Sequence, residues 1–290
     1  MGPLQKKFLR FIVIFVALAS MVNATTLHIA LEGNTGAGKS TLSKILAEHL
    51  SASIVPEPFE HWLNVADKGN LFDQFLADGK QWSMYLTIYS TITKIRALEQ
   101  VARSNNHELI IIDRSILSDG NAFAKVHTTQ GLLSQEQVTT YTEFLLATLG
   151  DVRILSKKSG DIFDGYKHAF SDPLKQEIVT QASKIMTEGA AYKIDGLIYL
   201  RTSPSICKKR ADERDRDYRD ADSGPVGQFY EKLGSAHDEW LQNRQSIEWQ
   251  GKNIPVLILN GDVDFVDDAM ARAALIQQVR QFITRLQNAY

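Results

Sequence analysis

The run Gly33-Asn-Thr-Gly-Ala-Gly-Lys-Ser40, followed by Thr41, carries the densest chemical signal in the chain. It fits G-x-x-x-x-G-K-[ST], a loop that folds around phosphate groups. Gly33, Gly36 and Gly38 let the backbone turn so that successive N–H groups point inward, and the helix that follows adds its N-terminal amides. Lys39 places a point charge on the β and γ phosphates of a nucleoside triphosphate, and Ser40 offers a hydroxyl to Mg²⁺. The whole stretch Gly33, Asn34, Thr35, Gly36, Ala37, Gly38, Lys39, Ser40 and Thr41 is therefore the candidate ATP-binding loop. A plain glycine turn is the competing reading, and a strand before the loop with a helix after it weighs against that.

Two carboxylates and a basic cluster extend the chemistry. Asp113 ends the apolar run Leu109-Ile-Ile-Ile112 and is followed by Arg114 and Ser115. An acid at the carboxyl end of a strand in an open α/β sheet is placed to hold Mg²⁺, directly or through water, although such an acid also serves as a helix N-cap. Glu57 stands between Pro56 and Pro58, which hold the backbone extended. An acid fixed there can take a proton from a hydroxyl attacking the γ-phosphoryl group; taken alone, it reads rather as a surface loop acid. Downstream, Arg201-Thr-Ser-Pro-Ser205 leads into Lys208-Lys-Arg-Ala-Asp-Glu-Arg-Asp-Arg-Asp-Tyr-Arg219. Arg210 and Arg214 are four apart and share a helix face. Such a segment can close over a triphosphate and spread positive charge on the transferred group, or it is a solvated helix of alternating charge.

These residues need a scaffold, and the hydrophobic pattern supplies one. Buried strands are expected at Thr26–Leu31, Ser53–Val55, Leu109–Ile112, Gly196–Leu200 and Pro255–Leu259. Helices are expected from Lys39, over Trp82–Val101 (Tyr85, Ile88, Ile92, Ile95) and over Ala269–Leu286. Strands alternating with helices predict an α/β fold with a doubly wound parallel sheet. The polar stretch at about 150–193 is expected to be an insertion, partly helical near Lys175–Met186. The main domain is assigned to 25–290.

Composition bounds the rest. The chain has 290 residues, 44% hydrophobic and 23% charged, with a net charge of −2. That balance gives no general attraction to a nucleic acid polymer or an anionic membrane. A single cysteine, Cys207, excludes an internal disulfide and a multi-cysteine zinc site. At the start, Lys6, Lys7 and Arg10 precede an apolar run from Phe11 to Ala19, with Val22-Asn-Ala24 after it. Residues 1–24 thus have the layout of a cleavable secretory signal, too short for a comfortable membrane span. Export and ATP chemistry point to different compartments, which leaves localisation open.

Taken together, the motifs resemble the deoxynucleoside kinase family. Glu57-Pro-Phe-Glu-His-Trp62 is similar to the family's Glu-Pro-x-x-x-Trp segment, and Asp113-Arg-Ser115 to its Asp/Glu-Arg-Ser motif. Tyr199–Pro204 leads into a segment resembling its arginine lid, and His237–Leu241 resembles a stretch after the lid. Asn260-Gly-Asp-Val-Asp264 lies where the family contacts adenine, which makes Asp262 an ATP-site residue by resemblance. The resemblance implies Glu57 as general base for a 5′-hydroxyl, Arg114 holding Glu57 and that hydroxyl, Asp113 serving Mg²⁺, and Arg210, Arg214 and Arg216 as lid arginines. It also implies Trp62 and Trp82 as walls of a nucleoside pocket, and a homodimer. The acceptor side departs from the family: Leu76 stands for a sugar-binding tyrosine, Thr87 for a base-reading glutamine, and Tyr218 or Arg219 for a glutamate. The expected reaction is ATP-dependent phosphorylation of a deoxynucleoside. A nucleoside monophosphate or other small alcohol as acceptor, and a non-catalytic secreted nucleotide-binding protein, are the alternatives.

Overall fold

The computed structural model describes residues 26–104, 108–149, 171–188, 190, 192–213 and 228–288. The signal-like segment 1–24, the lid arginines Arg214 and Arg216, and Tyr218 and Arg219 lie outside the described residues. So does the first half of the stretch expected as an insertion.

Strand β1 (Leu27–Glu32) alternates Leu27, Ile29 and Leu31 on one face with Ala30 on the other, and all six residues are buried. A strand with apolar groups on both faces belongs in the middle of a parallel sheet covered by helices. Around it run β2 (Ser53–Val55), β3 (Leu109–Asp113), β4 (Gly196–Arg201), β5 (Ser246–Trp249) and β6 (Lys252–Asn260), in the order β2-β3-β1-β4-β6-β5. The pairs β2–β3, β3–β1, β1–β4 and β4–β6 are parallel. Only β5 runs antiparallel, as a hairpin on β6, and the sequence pattern did not foresee it. Connections leave β1 toward both sides, so a crevice opens above its carboxyl end.

The helices divide between the two faces. On one, α1 (Lys39–Leu50) and α11 (Ala269–Asn288) pack Leu42, Leu46, Leu275, Val279 and Phe282 against Leu27, Ile29, Leu31 and Ile111. On the other, α4 (Gly79–Ser104), α7 (Gln135–Thr148) and α8 (Pro173–Glu188) pack against Ala30, Ile110, Ile112 and Leu197. Short helices α2 (Glu60–Leu63) and α3 (Leu71–Ala77) precede α4, and α5 (Ile116–Ser118) follows β3. A π-helical turn (Asp119–Ala124) then runs into α6 (Lys125–Thr129). Helices α9 (Pro204–Glu213) and α10 (Phe229–Leu241) flank the lid sequence. Among the described residues no helix is long and apolar enough to cross a membrane.

The C-terminal part of the stretch 150–193 is helix α8, and it belongs to the core. Leu174, Ile178, Ala182 and Ile185 form one helical stripe joined to the cluster built by α4 and α7. Val179 is buried beside this stripe and Met186 packs against the same cluster, while most of the other positions are polar, so α8 is an amphipathic helix laid on the core. Replacing Ile178, 1% exposed, with alanine is expected to cost about 2–5 kcal/mol in chemical denaturation. A cost near zero would make α8 an appendage.

Candidate active site

The phosphate loop joins β1 to α1, as its pattern required. Gly36 has φ 78°, and a Cβ there would lie 2.1 Å from the Cys207 carbonyl oxygen; at Gly33, φ 142°, it would lie 2.6 Å from that of Leu200. Larger residues are excluded from both positions by backbone on the far side of the loop. Side chains then fasten the loop from outside. Asn34 Nδ2 donates to the Tyr230 carbonyl at 2.7 Å. Thr202 Oγ1 and Arg210 Nη1 both donate to the Ala37 carbonyl, at 3.2 and 3.1 Å. Lys39 is buried and folded back, with Nζ donating to the carbonyls of Gly33 at 3.2 Å and Asn34 at 2.9 Å. Burial first, then the neighbouring Arg114 charge, lower its pKa to about 8, against the opposing pull of Asp113, Glu57 and Glu32.

At the end of β3 the backbone does something unusual. Arg114 has φ 70°, a conformation that non-glycine residues seldom adopt and that costs about 1–3 kcal/mol. The turn is fixed on both sides: Arg114 N–H donates to the Leu31 carbonyl at 3.1 Å, and Ser115 N–H to Glu32 Oε1 at 3.0 Å. Its effect is to drive the Arg114 guanidinium into the molecule, 2% exposed. There Arg114 pairs with Glu57 at 2.8 Å, donates to the Gly33 carbonyl at 3.1 Å, and lies 4.8 Å above the Phe123 ring. Burial would raise the Glu57 carboxyl, but Arg114, with Lys94 and Lys39, holds it below the ordinary glutamate range. Glu57 is therefore ionised at neutral pH.

One cavity collects these groups. Thr35, Gly36, Gly38, Lys39 and Ser40 form its phosphate end, with Glu57 and Arg114 beside them. Its far wall is apolar, from Trp62, Phe72, Phe75, Leu76, Leu86, Phe123 and Phe229, interrupted by Thr87, Ser90, Lys94, Asp119 and His127. Among these is a buried ion pair of Lys94 with Asp119. Asp119 also accepts from Ser90 Oγ at 3.2 Å and from Thr91 Oγ1 at 3.1 Å. Burial raises its pKa, while Lys94 and the hydrogen bonds oppose that rise. The π-helical turn carries Asp119 and Phe123 into the cavity, a common use of such local widening.

Several expected residues take other places. Trp82 does not border the cavity: it packs at a ring distance of 5.7 Å on Tyr85, with Lys175 of α8 4.7 Å from its centroid. It faces α8 rather than the crevice because it lies five residues before Thr87, off the stripe Thr87–Ser90–Lys94. Asp113 is not on the cavity wall but buried beneath it, 4% exposed, hydrogen-bonded to the Ser40 side chain, with Oδ1 unpartnered. Burial lifts its pKa, countered by Lys39. Asp262 is exposed and accepts from Ser203 N–H at 2.7 Å, capping the approach to α9. Arg210 is committed to backbone, bonding Gly261 at 2.9 Å besides Ala37, so it ties the phosphate loop to the 261–263 loop. Thr87 lines the cavity but donates its hydroxyl proton to the Ser83 carbonyl at 2.8 Å. Tyr199 and Arg201 meet the segment after the lid: both bond Asp238, Tyr199 Oη at 2.7 Å and Arg201 through two nitrogens at 2.8 and 2.9 Å.

Lys94 and Asp119 were not singled out in the sequence, although a signal existed. Thr87, Ser90 and Lys94 make a polar stripe at helical spacing among apolar residues, and Asp119, Phe123 and His127 recur every four residues after Arg114-Ser115. Among the described residues no group of three or more His, Cys, Asp or Glu is arranged to hold a metal. Asp113 and Ser40 supply one carboxylate and one hydroxyl, a set suited to Mg²⁺ only when phosphates and water provide the rest.

Comparison with known proteins bears on the fold and the reaction. The family model described as deoxynucleoside kinase matches residues 29–158 and 167–284. A probable deoxycytidine kinase of Fowlpox virus is 29% identical over 258 residues, 89% of this chain and 88% of the relative. Deoxycytidine kinase 2 of Gallus gallus is 24% identical over 277 residues, covering 88% and 90%. The mitochondrial deoxyguanosine kinase of Xenopus laevis is 26% identical over 278 residues, covering 89% and 90%.

The position of Lys39 has a measurable result. Its pKa falls from 10.5 to about 8 on folding, so the native loop favours the neutral amine. The charged form weighs against the fold below pH about 8, and that penalty fades as pH climbs from there toward 10.5. A triphosphate reverses the shift by favouring the ammonium. Calorimetry of ATP binding above pH 8, in buffers of different ionisation enthalpy, should show proton uptake that is absent well below pH 8 and absent in Lys39→Arg. Equal proton uptake in Lys39→Arg would assign the effect elsewhere.

Proposed function

The chain belongs to the deoxynucleoside kinase family, and within that family's reaction, ATP-dependent phosphorylation of a deoxynucleoside, we propose that Glu57 is the base and Arg114 its partner at the acceptor hydroxyl. The observation that carries this is the Glu57–Arg114 pair at 2.8 Å in the same cavity as the phosphate loop residues Lys39 and Ser40. A nucleoside laid with its base against the apolar wall brings its 5′-hydroxyl to Glu57. The ionised carboxylate takes the proton as the hydroxyl oxygen attacks the γ-phosphorus and the bond to ADP breaks. Arg114, already aligned, stabilises the charge that develops there without moving.

The loop amides and Lys39 hold the triphosphate, with Lys39 leaving its two carbonyls for phosphate oxygen. Mg²⁺ fits beside Ser40 and the unpartnered Asp113 Oδ1, and would neutralise charge on the β and γ oxygens. Arg214 and Arg216, outside the described residues, are assigned to the lid by sequence. Arg210 is assigned to holding the phosphate loop and the adenine-side loop together.

The Lys94–Asp119 pair sets the base. Asp119 accepts from an exocyclic amino group and Lys94 donates to a ring nitrogen or carbonyl, an edge that cytosine presents. Trp62 and Phe123 offer faces to the flat ring. The names of the viral and vertebrate relatives support deoxycytidine as the first substrate to test. A homodimer and removal of residues 1–24 as a secretory leader complete the proposal; light scattering and N-terminal sequencing of native protein test these two.

Glu57→Gln should lower kcat for deoxycytidine by about 10²–10⁴-fold while leaving ATP affinity nearly unchanged; retained turnover excludes Glu57 as base. Asp119→Asn should raise KM for deoxycytidine about tenfold, with a smaller change in kcat. An unchanged KM would remove the pair from base recognition.

A further inference from the structure

His127 lies on the acceptor wall of the cavity, 3% exposed, and its Nδ1 has no hydrogen-bond partner. Its ring is packed 5.2 Å from that of Phe75, among apolar neighbours. Burial alone lowers its pKa to about 4, so the imidazole is neutral under ordinary conditions. A buried polar nitrogen without a partner costs free energy, and on a ligand-facing wall the missing partner is most economically the ligand.

The other polar side chains of that wall are already engaged. Thr87 gives its proton to the Ser83 carbonyl, Ser90 donates to Asp119, and Lys94 and Asp119 hold one another. A deoxynucleoside brings three polar features to the cavity: the 5′-hydroxyl, the base edge and the 3′-hydroxyl. On the reading proposed above, Glu57 and Arg114 take the first, and Lys94 with Asp119 the second. His127 follows Asp119 and Phe123 at four-residue steps along the π-helical turn and α6, next to the Phe75–Leu76 end of the wall.

We propose that His127 is a specificity-determining residue that hydrogen-bonds the sugar 3′-hydroxyl of the acceptor. A neutral imidazole both donates and accepts, so it pairs with a hydroxyl without desolvating a charge. Phe75, whose ring packs against the imidazole, and Leu76 line the same cavity, so the neighbouring wall offers apolar groups rather than competing donors. The inference rests on the deoxynucleoside reading and adds the group by which the site tells a 2′-deoxynucleoside from a 2′,3′-dideoxynucleoside.

The test compares kcat/KM for deoxycytidine and 2′,3′-dideoxycytidine in the full-length protein and in His127→Leu and His127→Gln. The wild type should prefer deoxycytidine about tenfold or more, chiefly through KM. His127→Leu should lose most of that preference by weakening deoxycytidine alone, and His127→Gln, which keeps a donor and an acceptor, should restore part of it. A wild type indifferent to the 3′-hydroxyl overturns the inference whether or not the variants fold. So does a leucine variant that discriminates as well as wild type. Failure to phosphorylate any deoxynucleoside is a different result: it removes the proposed function and this inference with it.

Discussion

The site depends on one buried guanidinium. Arg114 is delivered inward by a left-handed backbone turn at the end of β3, and four parts of the chain meet it. They are the proline-framed segment carrying Glu57, the phosphate loop at Gly33, the π-helical turn carrying Phe123, and the carboxylate of Glu32 behind Ser115. A buried cation is tolerable only when its partners are close and ordered, and removing one partner of such a pair costs about 3–5 kcal/mol. The same requirement that keeps Arg114 stable therefore fixes the separation between the acid and the phosphate cradle. Stability and catalytic geometry are not independent here. The strained turn is tolerated because the Leu31 carbonyl accepts from Arg114 N–H and the Glu32 carboxylate accepts from Ser115 N–H.

Around this centre the electrostatics are graded by environment. Glu57 is kept ionised by its cationic neighbours, whereas Glu32 is raised by complete burial despite Arg114 and Ser115. The two carboxyls belong to one charge network yet stand in opposite protonation tendencies, Glu57 toward the carboxylate and Glu32 toward the neutral acid. His237 shows the same rule on the lid side: fully buried, pushed down to about 3, it stacks 6.1 Å from Tyr199 as a neutral ring.

Much of this was legible from the residues. The phosphate loop, the buried parallel strands and the long helix follow from patterns of glycine and apolar spacing, which act locally. Glu57, Asp113 and Arg114 were recognisable as a set because each ends a strand or follows one. What escaped was set by tertiary placement. The orientation of Trp82 depends on where α8 docks, and an amphipathic helix does not by itself say which elements its apolar stripe will meet. The Lys94–Asp119 pair joins two residues on different helices, so neither alone distinguishes a ligand contact from an ordinary surface charge. Arg210 carries the sequence signature of a mobile lid but spends its donors on backbone carbonyls, which no local pattern predicts.

The fastening of the phosphate loop has a consequence for how a ligand is received. Lys39 rests on Gly33 and Asn34 carbonyls, Asn34 is tied to Tyr230, and the Ala37 carbonyl is held twice, so the loop keeps its shape with nothing bound. The entropy of ordering that segment is lost when the chain folds, not when it meets its nucleotide. An arriving triphosphate finds a preorganised receptor and has only to draw one ammonium away from two oxygens. Tightness at this end of the cavity is thus inherited from folding and stays the same whichever acceptor occupies the other.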